Sequence, residues 1–214
     1  MIKDILVNLS YGTSQDGVSN YALSVAETFG AHIMGIAFAY DPVMASGFGL
    51  SANFIRVQQA EAQERAESVA AAFDEATRRA GVSAETRRIE AGIGDIPTQF
   101  AHIARRFDLS VIGQFERDRD HPTTNIVIEA ALFESGRPVL IVPSIQKDRL
   151  KLDHVMVCWD GSRAAARAVA DAMPFLTRSG KASIVVANSE RQKRRPSGCG
   201  YRDPPDPSRS KRHD

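Results

Sequence analysis

The sequence predicts an α/β protein whose parallel sheet is covered by helices on both faces. Three observations favour this fold class. Short apolar runs alternate with stretches in which apolar residues recur every three or four positions, the pattern of strands separated by helices. Several of the runs are continuously apolar, as in strands that are buried on both faces. The first strand–helix–strand pattern also recurs after about 150 residues, which indicates an internal repeat.

Five strands and four helices are predicted within residues 1–143, which we expect to form one complete domain. Four strands are the apolar runs 5–9, 32–39, 109–113 and 138–143, and a more polar strand lies around 85–92. The helices are the periodic stretches 18–29, 54–79, 95–107 and 125–134, three of which are followed by a glycine that favours a helix end, at Gly30, Gly81 and Gly136. Asp95 is the predicted N-cap of the third helix, and Pro97 lies in its first turn.

The repeat begins near residue 154, after a predicted linker over 144–153. A shift of about 150 residues superposes Ile5–Val7 on Val155–Val157 and Gly30 on Gly180 without a gap. Apolar residues match apolar residues through a strand, a helix and a second strand, and we interpret this match as duplication. Residues 154–188 are therefore predicted to be a partial second domain. Such a fragment buries too little to be stable alone, so we expect proteolysis to trim the chain back to about residue 145, unless the fragment docks on the first domain.

The end of the sequence has a different composition. The last 24 residues contain eight Lys or Arg, three Asp and four Pro, so their formal charge is +5, while residues 1–190 carry −4. With only Cys199 and Tyr201 as apolar or aromatic types, this segment cannot offset its ordering entropy by burial, and we expect 189–214 to be a disordered basic tail. GC-rich DNA read out of frame encodes such residues, so a frameshift near 188–191 is one explanation, and a functional tail is the other.

Composition and motifs exclude several classes of protein. Of 214 residues, 43% are hydrophobic and 25% charged, which is typical of a globular domain. The apolar runs are far shorter than the ~18 residues of a membrane span, and residues 1–12 lack the features of a signal peptide, so we expect a cytoplasmic protein. Cys158 and Cys199 match neither a disulfide framework nor a metal-binding spacing.

The sequence resembles a known family. The stretch VMVCWDGSRAAARAVADAM, residues 155–173, is similar to the start of a universal stress protein domain, and the VIGQ strand and ESGRPVLIVP ending of the first copy fit the same family. The resemblance covers residues 1 to about 188. It implies a doubly wound, parallel five-stranded sheet of order 3-2-1-4-5, of the adenine nucleotide alpha hydrolase-like type, followed by a partial repeat.

The resemblance also implies a test for ATP binding. Members that bind ATP carry a loop after the fourth strand with the pattern Gly, two residues, Gly, nine residues, Gly, then Ser or Thr. Glycines allow backbone N–H groups to approach phosphates at the start of the next helix. Gly113 matches the first position, but Glu116 replaces the second glycine, and Ile126 with Val127 replaces the last pair. Thr123 and Thr124 could offer hydroxyls, yet the acidic residues of 116–120 oppose a triphosphate.

The first strand of the complete domain departs from the family as well. In this fold, ligands bind beyond the carboxyl ends of strands 1 and 4, which here are Ser10 and Gly113. Ser10 stands where the second copy has Asp160 of the sequence Asp160, Gly161, Ser162, so the carboxylate that contacts nucleotide in the family is absent. The second copy has that carboxylate but no fourth strand. Each copy therefore carries half of a nucleotide site.

Other candidate sites receive less support. The histidines at 32, 102, 121 and 154 have no metal-binding spacing, and no Gly-x-Ser-x-Gly nucleophile motif occurs, so neither a metal nor a catalytic residue is predicted. The basic run at 191–195 could contact phosphates. A solvated basic end is the simpler interpretation, and nucleic acid is not a predicted partner.

Three hypotheses follow. The first is a stress-response interaction module that binds no cofactor, has no catalytic chemistry and forms a homodimer through strand 138–143. The second is a member that binds ATP or AMP through a degenerate loop at Gly113. The third is an enzyme on a related scaffold, such as an adenylylating ligase, although neither His-x-Gly-His nor Ser-Gly-Gly-x-Asp-Ser occurs in the sequence.

Overall fold

A parallel five-stranded sheet forms the centre of the protein. The computed structural model describes residues 1–9, 15–41, 52–92, 94–115 and 123–186. Its larger sheet has the order β3-β2-β1-β4-β5, and every neighbouring pair of strands is parallel. This confirms the predicted order 3-2-1-4-5. A second, two-stranded sheet consists of β6 and β7, which are also parallel.

The described elements have the following bounds. The strands are β1 Asp4–Leu9, β2 His32–Asp41, β3 Ala84–Gly92, β4 Leu109–Gly113, β5 Val139–Val142, β6 Val155–Trp159 and β7 Ala182–Val186. The helices are α1 Gln15–Phe29, α2 Ala52–Ala80, α3 Ile96–Ala104, α4 Thr123–Glu134 and α5 Arg163–Leu176. None of these helices is both long enough and apolar enough to cross a membrane. The boundaries of the two predicted domains stay predictions.

The two faces of the large sheet bury separate apolar clusters. Alternate residues of β1 point to opposite faces, as the pleat of a strand requires. Ile5 and Val7 belong to the cluster formed with α1 and α2, whereas Leu6 belongs to the cluster formed with α3 and α4. All three side chains are fully buried. The centre of the sheet therefore lies beneath helices on both sides.

The third helix begins after Asp95, its predicted N-cap, with Pro97 in the first turn, but it differs from the prediction in its capping bond and in its end. Asp95 makes no side-chain capping bond, because its backbone is already helical, with φ −91° and ψ −23°, whereas a capping residue is usually extended. The helix also ends at Ala104 rather than at 107. The next residues continue in tighter turns, in which the N–H of Arg106 bonds to the carbonyl of Ile103 and that of Phe107 to Ala104.

The second repeat has the predicted order of elements, but the gap-free match between the two copies is wrong in detail. Leu9 pairs with Ala37. The predicted shift places Trp159 on Leu9 and residue 187 on Ala37, yet Trp159 pairs with Val186. The strand-to-helix connection is also shorter in the second copy, at 160–162 against 10–14, and the helix-to-strand connection is longer, at 177–181 against 30–31. Together with α5, which is one residue shorter than α1, these changes keep the spacing between the strands constant, so the sequences align although the strands are slipped by one position.

The second repeat has almost no core of its own. No residue of α5 is buried. Val155, Val157 and Trp159 on one face of β6 are half-buried, while Met156, on the other face, is 62% exposed. Ile184, Val185 and Val186 of β7 are exposed as well. The packing that buries the first domain is therefore missing from β6 and β7.

The predicted linker lies along α1. The carbonyl oxygen of Gln146 faces Gly17 so closely that a Cβ there would lie 2.9 Å from it. Further along, the N–H of Leu150 donates to the hydroxyl of Ser24 at 2.8 Å, and Arg149 forms an ion pair with Glu27. The linker is thus held by the helix from its first turn to its last.

An aromatic contact follows the linker and joins α5 to α1. The rings of Phe29 and Phe175 meet edge to face with their centroids 5.0 Å apart. The guanidinium of Arg178 lies 4.5 Å from the centroid of Phe29. These contacts favour the alternative in which the half-repeat docks on the first domain.

We predict that replacing Phe175 releases the linker. Edge-to-face pairs are worth ~0.5–1.5 kcal/mol and exposed cation–π contacts ~0.5–1 kcal/mol. In Phe175→Ala, tryptic cleavage at Arg149 and Lys151 should therefore become about tenfold faster, as followed by mass spectrometry. Met173→Ala, an exposed change on the same helix, is the control and should leave the rate unchanged. Equal rates in wild type and Phe175→Ala would show that the contact does not hold the half-repeat.

Candidate functional site

The carboxyl ends of β1 and β4 lie side by side. Ile5 pairs with Leu109 and Val7 with Val111, so both strands run in register toward the same edge of the sheet. The order of the sheet reverses between these two strands, and ligands of open α/β sheets bind at such a position. The last described residues at this edge are Leu9 in β1 and Gly113 in β4. Ser10, the predicted site residue after β1, lies outside the described residues.

Gly113 has a packing role that is independent of any ligand. A Cβ at this position would lie 2.9 Å from Cγ2 of Val18, which is closer than real Cβ contacts allow. Both residues are buried, so α1 approaches β4 closely only because residue 113 has no side chain. The N–H of the next residue, Gln114, donates to the carbonyl of Val142 at 2.8 Å and continues the pairing toward β5.

The start of α4 supplies the second part of the candidate site. Thr123 is the first residue of α4, and its side chain lies outside the described residues, as does segment 116–122. Thr124 is buried, whereas Ile126 is 49% exposed. The first N–H groups of a helix have no partner within the helix and favour anions. The described first turn therefore offers backbone donors together with an exposed isoleucine.

Asp160, Gly161 and Ser162 form the turn between β6 and α5. The N–H of Ser162 donates to Oδ1 of Asp160 at 2.9 Å, and Gly161 has a φ of 76°, a conformation that favours glycine. Ser162 is the N-cap of α5, and its hydroxyl oxygen accepts from the N–H of Ala165 at 3.0 Å. Hydrogen bonds from the hydroxyl and backbone of Ser162 lower the pKa of Asp160 below its usual value. All three residues thus stabilise a local turn.

The six candidate residues that the structure describes are divided between the units built on the two sheets. Gly113, Thr123 and Thr124 belong to the large sheet and its helices, while Asp160–Ser162 belong to the unit built on β6. The structure thus gives each group its own strand end and helix start. In the described residues no group of three or more His, Cys, Asp or Glu side chains could hold a metal ion.

Sequence reasoning missed two features. The hydroxyl of Ser110 in β4 is fully buried without a hydrogen-bond partner among the described residues. A cavity of about 610 Å³ lies between the end of α4, β5 and α5. The sequence does not show whether a serine within an apolar run has a hydrogen-bond partner. The cavity lies between the two repeats and depends on how they dock, which the sequence does not show either.

The comparisons with known proteins support the fold. No protein-family model and no curated protein sequence matches the chain. Among solved structures, the chain is similar to a universal stress protein from Archaeoglobus fulgidus DSM 4304, with a TM-score of 0.60 and 20% identity over 89% of this chain and 69% of that one. It is also similar to a protein from the universal stress protein family from Burkholderia pseudomallei, with a TM-score of 0.52 and 20% identity over 66% of this chain and 96% of that one. Universal stress protein UspA from Lactobacillus plantarum gives 0.51 and 16% over 66% and 97%.

We predict that Gly113→Ala destabilises the protein through its contact with Val18. Overpacking of this kind costs ~1–3 kcal/mol, measured as the free energy of unfolding in urea. In a Val18→Ala background the same change should cost less than ~0.5 kcal/mol, because the shorter side chain leaves room for the new methyl group. Gly94→Ala is the control, since a Cβ there would meet nothing within 4 Å. If Gly113→Ala costs as much in the Val18→Ala background as in wild type, the packing explanation is wrong.

Proposed function

Because the chain has the universal stress protein fold, we propose that it acts as a stress-response regulatory or interaction module that does not bind ATP. In this proposal the complete domain has no catalytic chemistry, and its function lies in the surfaces that it presents to other proteins. The fold alone does not choose this function. The residues at the carboxyl edge of the sheet support it.

The start of α4 carries the argument. The ATP-binding pattern places a glycine at residue 126, where the backbone would approach the phosphates. Ile126 instead projects a branched side chain from the first turn of α4 and is half exposed. The remaining matching position, Gly113, is explained by its contact with Val18. Gly113, the one glycine that fits the pattern, is therefore explained by packing. At position 126 the isoleucine side chain occupies the space through which a phosphate would approach the backbone.

An adenine-nucleotide-binding protein is the second candidate. Gly113 lies at the end of β4 beside β1, and the first N–H groups of α4, which have no partner within the helix, favour negative charge. These features would suit ATP or AMP. Mass spectrometry of the purified protein separates the two candidates, because a tight nucleotide ligand co-purifies with its protein.

We predict no saturable ATP binding by isothermal titration calorimetry at protein concentrations of tens of micromolar. A dissociation constant of ~10 μM corresponds to about 7 kcal/mol of binding free energy, and the side chain of Ile126 stands where the glycine pattern requires bare backbone. AMP is titrated in parallel, because it lacks the β- and γ-phosphates that the glycine pattern would bind. Saturable heat with ATP would contradict the proposal, and its absence with AMP would assign the binding to the β- and γ-phosphates.

A homodimer through strand 138–143 is part of the same proposal. β5 is the edge strand of the large sheet and offers its outer N–H and C=O groups for pairing with another chain. Apolar side chains flank this edge: Ile141 is 36% exposed in β5, and Phe133 is 83% exposed at the end of α4. An apolar edge of this kind favours pairing between two copies.

We predict that Ile141→Lys weakens the dimer. A charge at the edge of β5 would be buried against the second copy and would lose its hydration. Multi-angle light scattering at micromolar concentration should report a dimer for wild type and a monomer for the variant. Ile145→Lys is the matched control, because Ile145 is 86% exposed and lies just beyond β5. A monomeric wild type, or a variant of unchanged mass, would count against this interface.

A further inference from the structure

The second repeat lacks the neighbours that complete the first. In the large sheet, β1 has β2 on one side and β4 on the other. β6 corresponds to β1, because it precedes α5 and pairs with β7 in the same parallel sense. The two-stranded sheet leaves the other edge of β6 without a strand in the described part of the chain. Two strands with an open face are not stable by themselves in water.

Helix α1 is the counterpart of α5 in the first domain, and its contacts indicate which strands α5 would cover in a complete domain. α1 packs on β1, β4 and β5, and its apolar residues share one cluster with side chains of all three strands. α5 packs on β6. A second stripe of α5, made of Ala164, Ala168 and Ala172, lines the cavity of about 610 Å³, and Phe175 at its end also contacts Phe29 of α1. The surface that corresponds to the β4 and β5 contacts of α1 is therefore open.

The lining of the cavity is suited to apolar strands. Its opposite wall consists of Val139 and Leu140 of β5, with Leu132 and Phe133 at the end of α4. Arg167 and Asp171 at its border are paired with each other at 2.7 Å. The third charged residue of the lining, Arg137, donates from Nε to the carbonyl of Arg105 at 3.1 Å. The lining of the groove is thus mostly apolar, and each of its charged side chains has a partner within the chain. A groove of this kind favours apolar side chains rather than a charged ligand.

Residues 187–214 do not have the composition to fill this groove. Their apolar or aromatic types are limited to Ala187, Cys199 and Tyr201, among nine Lys, Arg or His and four Pro. The solved universal stress protein from Archaeoglobus fulgidus DSM 4304 matches this chain over 69% of its own length. That protein therefore has residues outside the match.

We propose that the groove between β5 and α5 is the docking site of a partner polypeptide that carries a strand–helix–strand segment equivalent to β4, α4 and β5. One strand pairs with the free edge of β6, the apolar stripe of α5 packs on the new strands, and a helix covers Met156 and Cys158 on the opposite face. In the large sheet that face is covered by α3 and α4. The partner is recognised by its pattern of apolar strands, and it completes the second sheet.

The test uses residues 95–145 of this chain as the probe, because they contain such a segment. The probe is co-expressed with the full chain in a Cys199→Ser, Ile141→Lys background, which leaves Cys158 as the single thiol and removes the contact proposed for the homodimer. Cys158 is exposed. Its alkylation by iodoacetamide should become at least tenfold slower with the probe, and the two polypeptides should co-purify in a 1:1 ratio. A version with the probe tethered after residue 214 raises the effective concentration.

Two variants of α5 make the test specific. Ala168→Glu places a charge in the apolar stripe and should abolish both the protection of Cys158 and co-purification. Ala166→Glu is the matched control, because Ala166 is exposed on the same helix outside the cavity lining, and it should retain both. Unchanged alkylation with both the free and the tethered probe would overturn the proposal. So would protection that survives Ala168→Glu, or protection that rises with the concentration of the chain alone, which would identify a second copy as the occupant.

Discussion

The packing of α1 is the interaction on which the rest of the structure depends. On one side the helix lies against β1, β4 and β5, and it reaches β4 closely because Gly113 leaves room for Val18. On the other side the linker follows the helix through Ser24 and Glu27. A single helix therefore fixes both the centre of the first domain and the position of the second repeat.

The packing of α1 offers a structural explanation for the residues of the candidate site. A glycine at the end of a strand suits both a phosphate and a close helix, and the contact with Val18 supports the second explanation. The Asp160–Ser162 turn could likewise serve either a nucleotide or the local fold. The hydrogen bonds of its carboxylate and hydroxyl already stabilise the start of α5. Residues that resemble a nucleotide site are thus accounted for by local folding in both repeats.

The sequence was sufficient for the fold because the fold depends on patterns of burial. Apolar runs such as 5–9 and 109–113 became the central strands, and Gly30, Gly81 and Gly136 adopt the positive φ that helix ends require. Asp95 is the N-cap residue of α3, as predicted, but its side chain makes no capping bond because the local turn, rather than the residue type, decides whether a side chain can reach the helix. The slip by one position between β6 and β7 was hidden because the changes in the two loops and in the helix between them cancel in sequence length. The docking of Phe175 on Phe29 depends on tertiary contact, which no local pattern encodes.

The structure combines a five-stranded sheet that is buried on both faces with an open two-stranded sheet, and hydrogen exchange tests this difference most directly. Amides of β1 lie between two strands under buried side chains, whereas β6 and β7 have exposed apolar residues and a free edge. Local opening controls exchange where burial is low. Mass spectrometry of the full chain should therefore show exchange in 155–159 and 182–186 that is at least about a hundredfold faster than in 4–9. Equal protection of the two sheets would contradict the account, because it would show that the second sheet is already complete.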